Sequence, residues 1–227
     1  MNIELVVFDM AGTTIVDNGE IAAAFQTALK HFGYDVPTDA INMVMGYKKT
    51  KAIKIMLNLY DSSANISEEL IEEIHAVFLN EMAAHYCDVN EIEVLPYAEE
   101  IFLFLKSKGI KVALDTGFTK QIADIIIDKL GWLKNNIIDC MVCSDEVPKG
   151  RPYPYMIQKI MQQVGVTNTQ KVIKVGDTEV DVNEGLNANC LYSIGITTGA
   201  FTRQQLSLHK PSFIIDHLSE LEKIICS

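Results

Sequence analysis

The chain is 227 residues long, 48% hydrophobic and 22% charged, with a formal net charge of -11 at pH 7. That length supports one good core, or one core with a smaller inserted unit. An acidic balance of this size excludes a binder of nucleic-acid backbones, which needs a basic stripe that releases counterions, and argues for solubility rather than for a particular activity.

Glu4 and Asp9 already bracket the first apolar run, so no basic segment and apolar leader core precede it, and no run approaches the ~20 apolar residues that span a bilayer. The expectation is a cytoplasmic protein that contacts neither membrane nor nucleic acid. Five cysteines, Cys87, Cys140, Cys143, Cys190 and Cys226, are an odd count among apolar neighbours, which fits a reducing compartment. Cys140 and Cys143 spell C-x-x-C, yet no second pair or nearby histidine completes a zinc set, and in a strand the two would face opposite sides. They read as buried strand thiols.

Short β-branched runs alternate with longer helical patterns, the signature of parallel strands joined by crossover helices. The predicted strands are Ile3–Phe8, Ile110–Leu114, Ile138–Cys143, Lys171–Val175, Cys190–Ile194 and Ser212–Ile215, and each reads apolar throughout, as strands covered on both faces do. Between the first two lies an acidic stretch, Val16 to Val94, with Ile66, Leu70, Ile74, Val77, Phe78 and Met82 at helical spacing. The reading is an α/β fold: a Rossmann-like parallel-sheet core, residues 1–15 and 95–227, with a helical cap, residues 16–94, inserted after the first strand. The junctions fall at Thr14 to Asn18 and at Glu93 to Pro96, where proline stops one element before a helix from Tyr97 to Lys108.

Ligands of open α/β sheets bind beyond the carboxyl ends of the strands, so the post-strand loops carry the functional reading. The first holds Asp9 followed by Ala11-Gly12-Thr13-Thr14, the second Asp115-Thr116-Gly117-Phe118-Thr119. The third runs Ser144 to Pro152 and includes Lys149, Gly150 and Arg151; the fourth holds Gly176-Asp177-Thr178-Glu179-Val180-Asp181. An aspartate after a strand is commonly a turn former or helix cap. Together, however, the four loops supply carboxylates for a hard cation such as Mg2+ and hydroxyl, N–H and cationic donors for phosphoryl oxygens, with a carboxylate to spare as a nucleophile.

With these motifs in this order, and with an insertion after the first, the chain resembles the haloacid dehalogenase superfamily of phosphotransferases from end to end. The resemblance implies that Asp9 is the nucleophile, that Thr116 and Gly117 bind phosphate, that Arg151 or Lys149 is the third-motif cation, and that Mg2+ is held by Asp9, the carbonyl of Ala11 and Asp177, with Asp181 behind them. Most phosphatases of that superfamily carry a second aspartate two residues after the nucleophile, which protonates the leaving oxygen; here the position is Ala11. General-acid help of that kind is worth typically ~10^2 to 10^4 in rate.

Alanine at this position is similar to the phosphonatase branch of the superfamily. There the bond broken is P–C, and a cap lysine forms a Schiff base with an aldehyde so that carbon departs as an enamine. Val44-Met45-Gly46-Tyr47-Lys48-Lys49-Thr50 resembles the branch segment carrying that lysine, which makes Lys49 the candidate; Thr116 to Thr119 and Gly150-Arg151-Pro152-Tyr153-Pro154 resemble it too. Tyr47, Lys48 and Phe25 are expected to read the organic half of the substrate. A Schiff-base lysine must be desolvated or sit near another cation, whereas a cluster such as Lys48, Lys49, Lys51 and Lys54 is usually a solvated face. The chain departs from the branch at Ala52, Gly19 and Phe118, where the branch has a histidine, a cysteine and a tyrosine. The resemblance also implies a homodimer formed through the cap helices.

The expected activity is Mg2+-dependent phosphohydrolysis through an aspartyl-phosphate on a small phosphonate aldehyde. A phosphomonoesterase or phosphomutase on a small phosphorylated metabolite, and a non-catalytic phosphate-binding protein, are the alternatives. His31, His75, His85, His209 and His217 are scattered and read as surface or helix-end residues, and Trp132 as packing at a helix end.

Overall fold

A computed structural model describes residues 3–60 and 66–226. β1 (Leu5–Phe8), β2 (Lys111–Thr116), β3 (Cys140–Cys143), β4 (Val172–Gly176), β5 (Tyr192–Ile196) and β6 (Phe213–Ile215) form one sheet in the order β3-β2-β1-β4-β5-β6. Every pairing is parallel. The chain builds outward from β1 on one side, then returns to build outward on the other, so the order switches at β1 and β4 and opens a crevice at their carboxyl ends.

Alternation along β1 sends its side chains to two cores. Val6 and Phe8 join one that includes Ile101 and Phe102 of α5 (Ala98–Ser107) and Ile122 and Ile126 of α6 (Lys120–Leu130). Leu5 and Val7 join the other, with Met156, Ile157 and Ile160 of α7 (Tyr155–Val164). α8 (Glu179–Asn187) follows β4, and the short α9 (Arg203–Ser207) and α10 (Leu221–Cys226) close the chain.

Between β1 and α5 the described residues form α1 (Glu20–His31), α2 (Thr38–Asn42), α3 (Lys49–Tyr60) and α4 (Glu68–Asp88). α1 buries Ile21, Ala24, Phe25 and Ala28, and α4 buries Ile71, Ile74, Phe78 and Met82; the Phe25 and Phe78 rings meet at 4.4 Å between centroids. Ser67 caps α4 by accepting the Leu70 N–H at 3.1 Å. The segments leading into and out of this helical cap run side by side: Val16 N–H donates to Glu93 O at 2.9 Å, and Leu95 N–H to Thr14 O at 3.0 Å.

Strand placement differs from expectation in one informative respect. β2 extends through Asp115 to Thr116, and β4 contains Lys174; both charged side chains are completely buried, so these strands are not apolar throughout. β3 starts at Cys140 rather than Ile138, and Ile66 precedes α4. Cys143 is buried and Cys140 partly buried, with burial raising both thiols, the latter to about 11, which suits packing rather than metal binding. Among the described residues no helix is long and apolar enough to cross a membrane.

Candidate active site

Asp9 leaves β1 with its N–H bonded to Val175 O at 2.9 Å, and the chain then folds back at once: the amides of Thr13, Thr14 and Ile15 all donate to Met10 O, and Thr14 Oγ1 donates to Asp9 O at 3.0 Å. Gly12 makes the turn at φ +84, where a Cβ would lie 2.7 Å from Asp177 Oδ2. Glycine is required both by the positive φ and by this approach of the β1 loop to the β4 loop. Thr13 Oγ1 and the Ala200 N–H donate to the two oxygens of Asp177 at 3.2 and 2.7 Å.

Asp9, Asp177 and Asp181 bring carboxylate oxygens within 4.8 Å of one another, all buried. Burial first, then the neighbouring Asp181, lifts Asp9 to about 6 against the pull of Arg151. Burial, with the neighbouring Asp9 and Asp181, raises Asp177 well above the usual carboxylate range. A cluster of desolvated carboxylates that repel one another fits a hard, oxygen-seeking cation. Asp9, Ala11 and Asp177 line a cavity of about 280 Å³, whereas Asp181 lies off its wall. Asp181 is already occupied, with Oδ1 3.1 Å from Arg151 and 3.0 Å from Lys174, and Oδ2 accepting from Thr178.

Of the two candidate third-motif cations, Arg151 reaches the centre. Its guanidinium is 2.6 Å from Asp9 Oδ1, 3.2 Å from Glu184, and also pairs with Asp115 and Asp181. It is completely enclosed behind Asp9 and does not line the cavity. Lys149 is exposed, its ammonium 4.7 Å from the Tyr153 ring centroid and away from Asp9's loop. A second buried cation, Lys174, pairs with Asp115, Asp181 and Glu184; burial alone would lower its pKa, and these carboxylates hold it above the usual value. The second carboxylate cluster, Asp115, Asp181 and Glu184, is thus filled by the protein's own cations.

Thr116, Gly117 and Phe118 form another wall of the cavity. Thr116 Oγ1 accepts the Phe118 N–H at 3.1 Å, leaving its own proton to donate. A Cβ on Gly117 would sit 2.8 Å from the carbonyl oxygens of Gly46 and Tyr47, so the cap's peptide chain lies directly on this loop. Tyr47 itself turns away from the cavity: its hydroxyl donates to Glu179 Oε1 at 2.9 Å, and it serves as a tie between cap and core rather than as a cavity wall.

Lys49 differs from the lysines around it. Lys51 and Lys54 are exposed, Lys54 pairing with Glu68, whereas Lys49 is 4% exposed and lines the cavity. Its Nζ lies 5.5, 5.8 and 5.0 Å from the ring centroids of Phe25, Phe78 and Phe118, with no hydrogen-bond or ion-pair partner among the described residues. Burial lowers its pKa to about 8, opposed chiefly by Asp17 and Asp9. The branch's histidine and tyrosine positions, Ala52 and Phe118, are both buried, and Phe118 forms part of this aromatic cage.

Several residues here had no sequence signal: Lys174 and Glu184 are charges inside core elements, and Asp17 lines the cavity from the turn before α1; Asp115, expected in the loop after the second strand, instead lies within β2. Two histidines depart from the surface reading. His75 lies within α4 with its ring stacked on Phe78 and its side chain 12% exposed; His209 Nε2 is 3.3 Å from Glu179 Oε2 in the motif-four segment. Trp132 is fully buried and donates to Glu99 at 2.6 Å.

Residues 3–189 match the family model for haloacid dehalogenase-like hydrolase. A phosphonoacetaldehyde hydrolase of Bacillus cereus (strain B4264) is 32% identical over 212 residues, covering 88% of this chain and 78% of that protein, and one from Paraburkholderia phytofirmans is 30% identical over 208 residues, covering 86% and 75%. Among solved structures, a phosphonoacetaldehyde hydrolase-like protein from Oleispira antarctica superposes with a TM-score of 0.85 at 24% identity, covering 100% of this chain and 92% of that one. A hydrolase from Pseudomonas syringae gives 0.85 at 20% identity, covering 98% of each. By the span of the family match and by these relatives, the chain belongs to the haloacid dehalogenase-like hydrolases and resembles their phosphonatase branch.

Proposed function

We propose that the protein is a Mg2+-dependent phosphohydrolase that cleaves the P–C bond of a small phosphonate aldehyde, with Asp9 as nucleophile and Lys49 as Schiff-base former. The observation that carries this reading is Lys49: a desolvated amine, caged by three rings, in the same cavity as Asp9 and with its pKa near 8. An amine so placed is neutral often enough near pH 7 to attack a carbonyl. That makes carbon a tolerable leaving group and removes the need for an acid at Ala11.

Asp9, Asp177 and the backbone carbonyl of Ala11 would hold Mg2+, with Asp181 behind them; when bound, the ion neutralises charge on the phosphoryl oxygens. The aldehyde condenses with Lys49. The free oxygen of Asp9 attacks phosphorus, the P–C bond pair moves to carbon and is taken up by the iminium as an enamine, and water later hydrolyses the aspartyl-phosphate. Arg151 fixes the attacking carboxylate from behind, and the Thr116 hydroxyl with the Gly117 loop receives phosphoryl oxygens. The division into 1–15 with 95–227 and 16–94 is part of this proposal, supported by the paired segments at Thr14 to Val16 and Glu93 to Leu95.

The test is Mg2+-dependent phosphate release from phosphonoacetaldehyde beside a panel of small phosphate esters. Release from the phosphonate that is abolished in Lys49→Arg supports the reading. Turnover confined to esters, indifferent to Lys49, overturns it in favour of an esterase or mutase.

A further inference from the structure

Schiff-base formation on Lys49 expels the aldehyde oxygen as water, and that oxygen leaves only if it is protonated. Ala11 has nothing to give, and Arg151 and Lys174 are locked behind Asp9. We propose that Asp17 is this acid: its carboxyl group, presented to the cavity by the turn that opens α1, protonates the carbinolamine oxygen on Lys49 and recovers the proton when the product iminium is hydrolysed.

Asp17 lines the same cavity as Asp9, Lys49 and Thr116. Its Oδ1 accepts the Gly19 N–H at 3.0 Å, which fixes the side chain at the turn. A turn former alone would face water with an ordinary carboxylate pKa, yet burial, followed by a hydrogen bond with the Glu20 side chain, raises that of Asp17. Against the upward push of burial, the pKa of Glu20 is lowered, by its own backbone N–H and then by Asp17, so the two carboxyl groups shift in opposite directions. Lys49 lines the same cavity with no hydrogen-bond or ion-pair partner among the described residues, and the carboxylate whose field acts on it most is Asp17, ahead of Asp9 and Asp177. Both groups follow the paired segment at Thr14 to Val16, on the inserted side of the chain from Asp9.

The proton ledger closes. Neutral Nζ attacks the aldehyde carbon, a C–N bond forms, and a proton passes from nitrogen to oxygen to give the carbinolamine. Asp17 protonates its hydroxyl, the C–O bond breaks, water departs, and the Nζ lone pair closes the C=N bond, leaving an iminium facing a carboxylate. After P–C cleavage the enamine carbon takes a proton from solvent. Water then adds to the iminium carbon, the C=N pair returns to Nζ, and Asp17 takes the water proton before the carbinolamine collapses to aldehyde and free amine.

This proposal rests on the Schiff-base reading, and one experiment on the full chain with Mg2+ and phosphonoacetaldehyde separates the two. Phosphate release and the borohydride-trapped Lys49 adduct, read by intact mass, are measured for wild type and Asp17→Asn, a variant that keeps the acceptor for Gly19. The expected result is an adduct in wild type, with kcat falling about 10^2- to 10^4-fold in Asp17→Asn, little change in KM, and slower trapping. Asp17→Asn within about threefold of wild type in both readouts overturns the role of Asp17 and leaves Lys49 standing. A wild type that neither turns over the phosphonate nor traps an adduct overturns both. If Asp17→Asn lowers the thermal midpoint, Asp17→Ser is assayed with added formate: rescue of about tenfold or more supports the acid role, and none overturns it.

Discussion

Replacing Lys49 by methionine should make the protein more stable while destroying its proposed chemistry. In the folded state the amine pKa falls from 10.5 to about 8, because burial is only partly offset by Asp17 and Asp9. At 1.36 kcal/mol per unit, holding the ammonium in its cage costs about 3 kcal/mol at pH 7. The sign follows from linkage: the unfolded chain binds this proton more tightly, so the penalty is fully present below the folded value near 8 and is removed as pH rises toward 10.5. Methionine fills similar space without a charge. Lys49→Met is therefore expected to gain about 3 kcal/mol over wild type at pH 6.5, shrinking to about half of that by pH 9.5. Urea unfolding without added Mg2+, followed by the fluorescence of the single, buried Trp132, measures both values. A variant no more stable than wild type at pH 6.5, or a difference that does not change with pH, would refute the desolvated-amine argument.

Three further outcomes follow from the site. Mg2+ at 100 times its dissociation constant should stabilise wild type by about 2.7 kcal/mol, and Asp177→Asn should abolish that increment in a thermal scan. Lys174→Met removes one of two cations facing Asp115, Asp181 and Glu184, and should destabilise by about 3–5 kcal/mol in denaturant titration. Gly117→Ala would drive a methyl group into the carbonyls of Gly46 and Tyr47, displacing the cap, and should lower kcat/KM by about 10^2-fold in the phosphate-release assay.

The order of elements was legible because parallel strands covered on both faces are short apolar runs, and the loops after them hold the reactive groups by the geometry of such sheets. The cap was legible from periodicity: Ile74, Phe78 and Met82 fall on the buried face of α4. The pairing of Lys174 with Asp115 was not, because a charge within a strand such as Lys174 signals exposure until its partner is known, and these two lie 59 residues apart. Nor did the sequence separate Arg151 from Lys149, two residues apart in one loop; only the fold turns the first inward and leaves the second over Tyr153. Lys49 stands among lysines that are indistinguishable by composition, and its cage is assembled from Phe25, Phe78 and Phe118 on three separate elements. Nor was the bond from Tyr47 to Glu179 legible, because contacts between cap and core leave no periodic trace.

Gly46 rests on the motif-four loop with its α-carbon so close that a Cβ would fall 2.4 Å from Thr178 Oγ1, and Gly117 meets the same cap peptide from the other side. At Gly117 the seam is main chain against main chain, whereas at Gly46 the cap backbone lies on the side chains of Thr178 and Val180. In both contacts the cap contributes only main chain. Cap side chains that face the cavity can therefore change during evolution without loosening these two contacts, so the lining of the cavity can drift while the cap keeps its seat on the core.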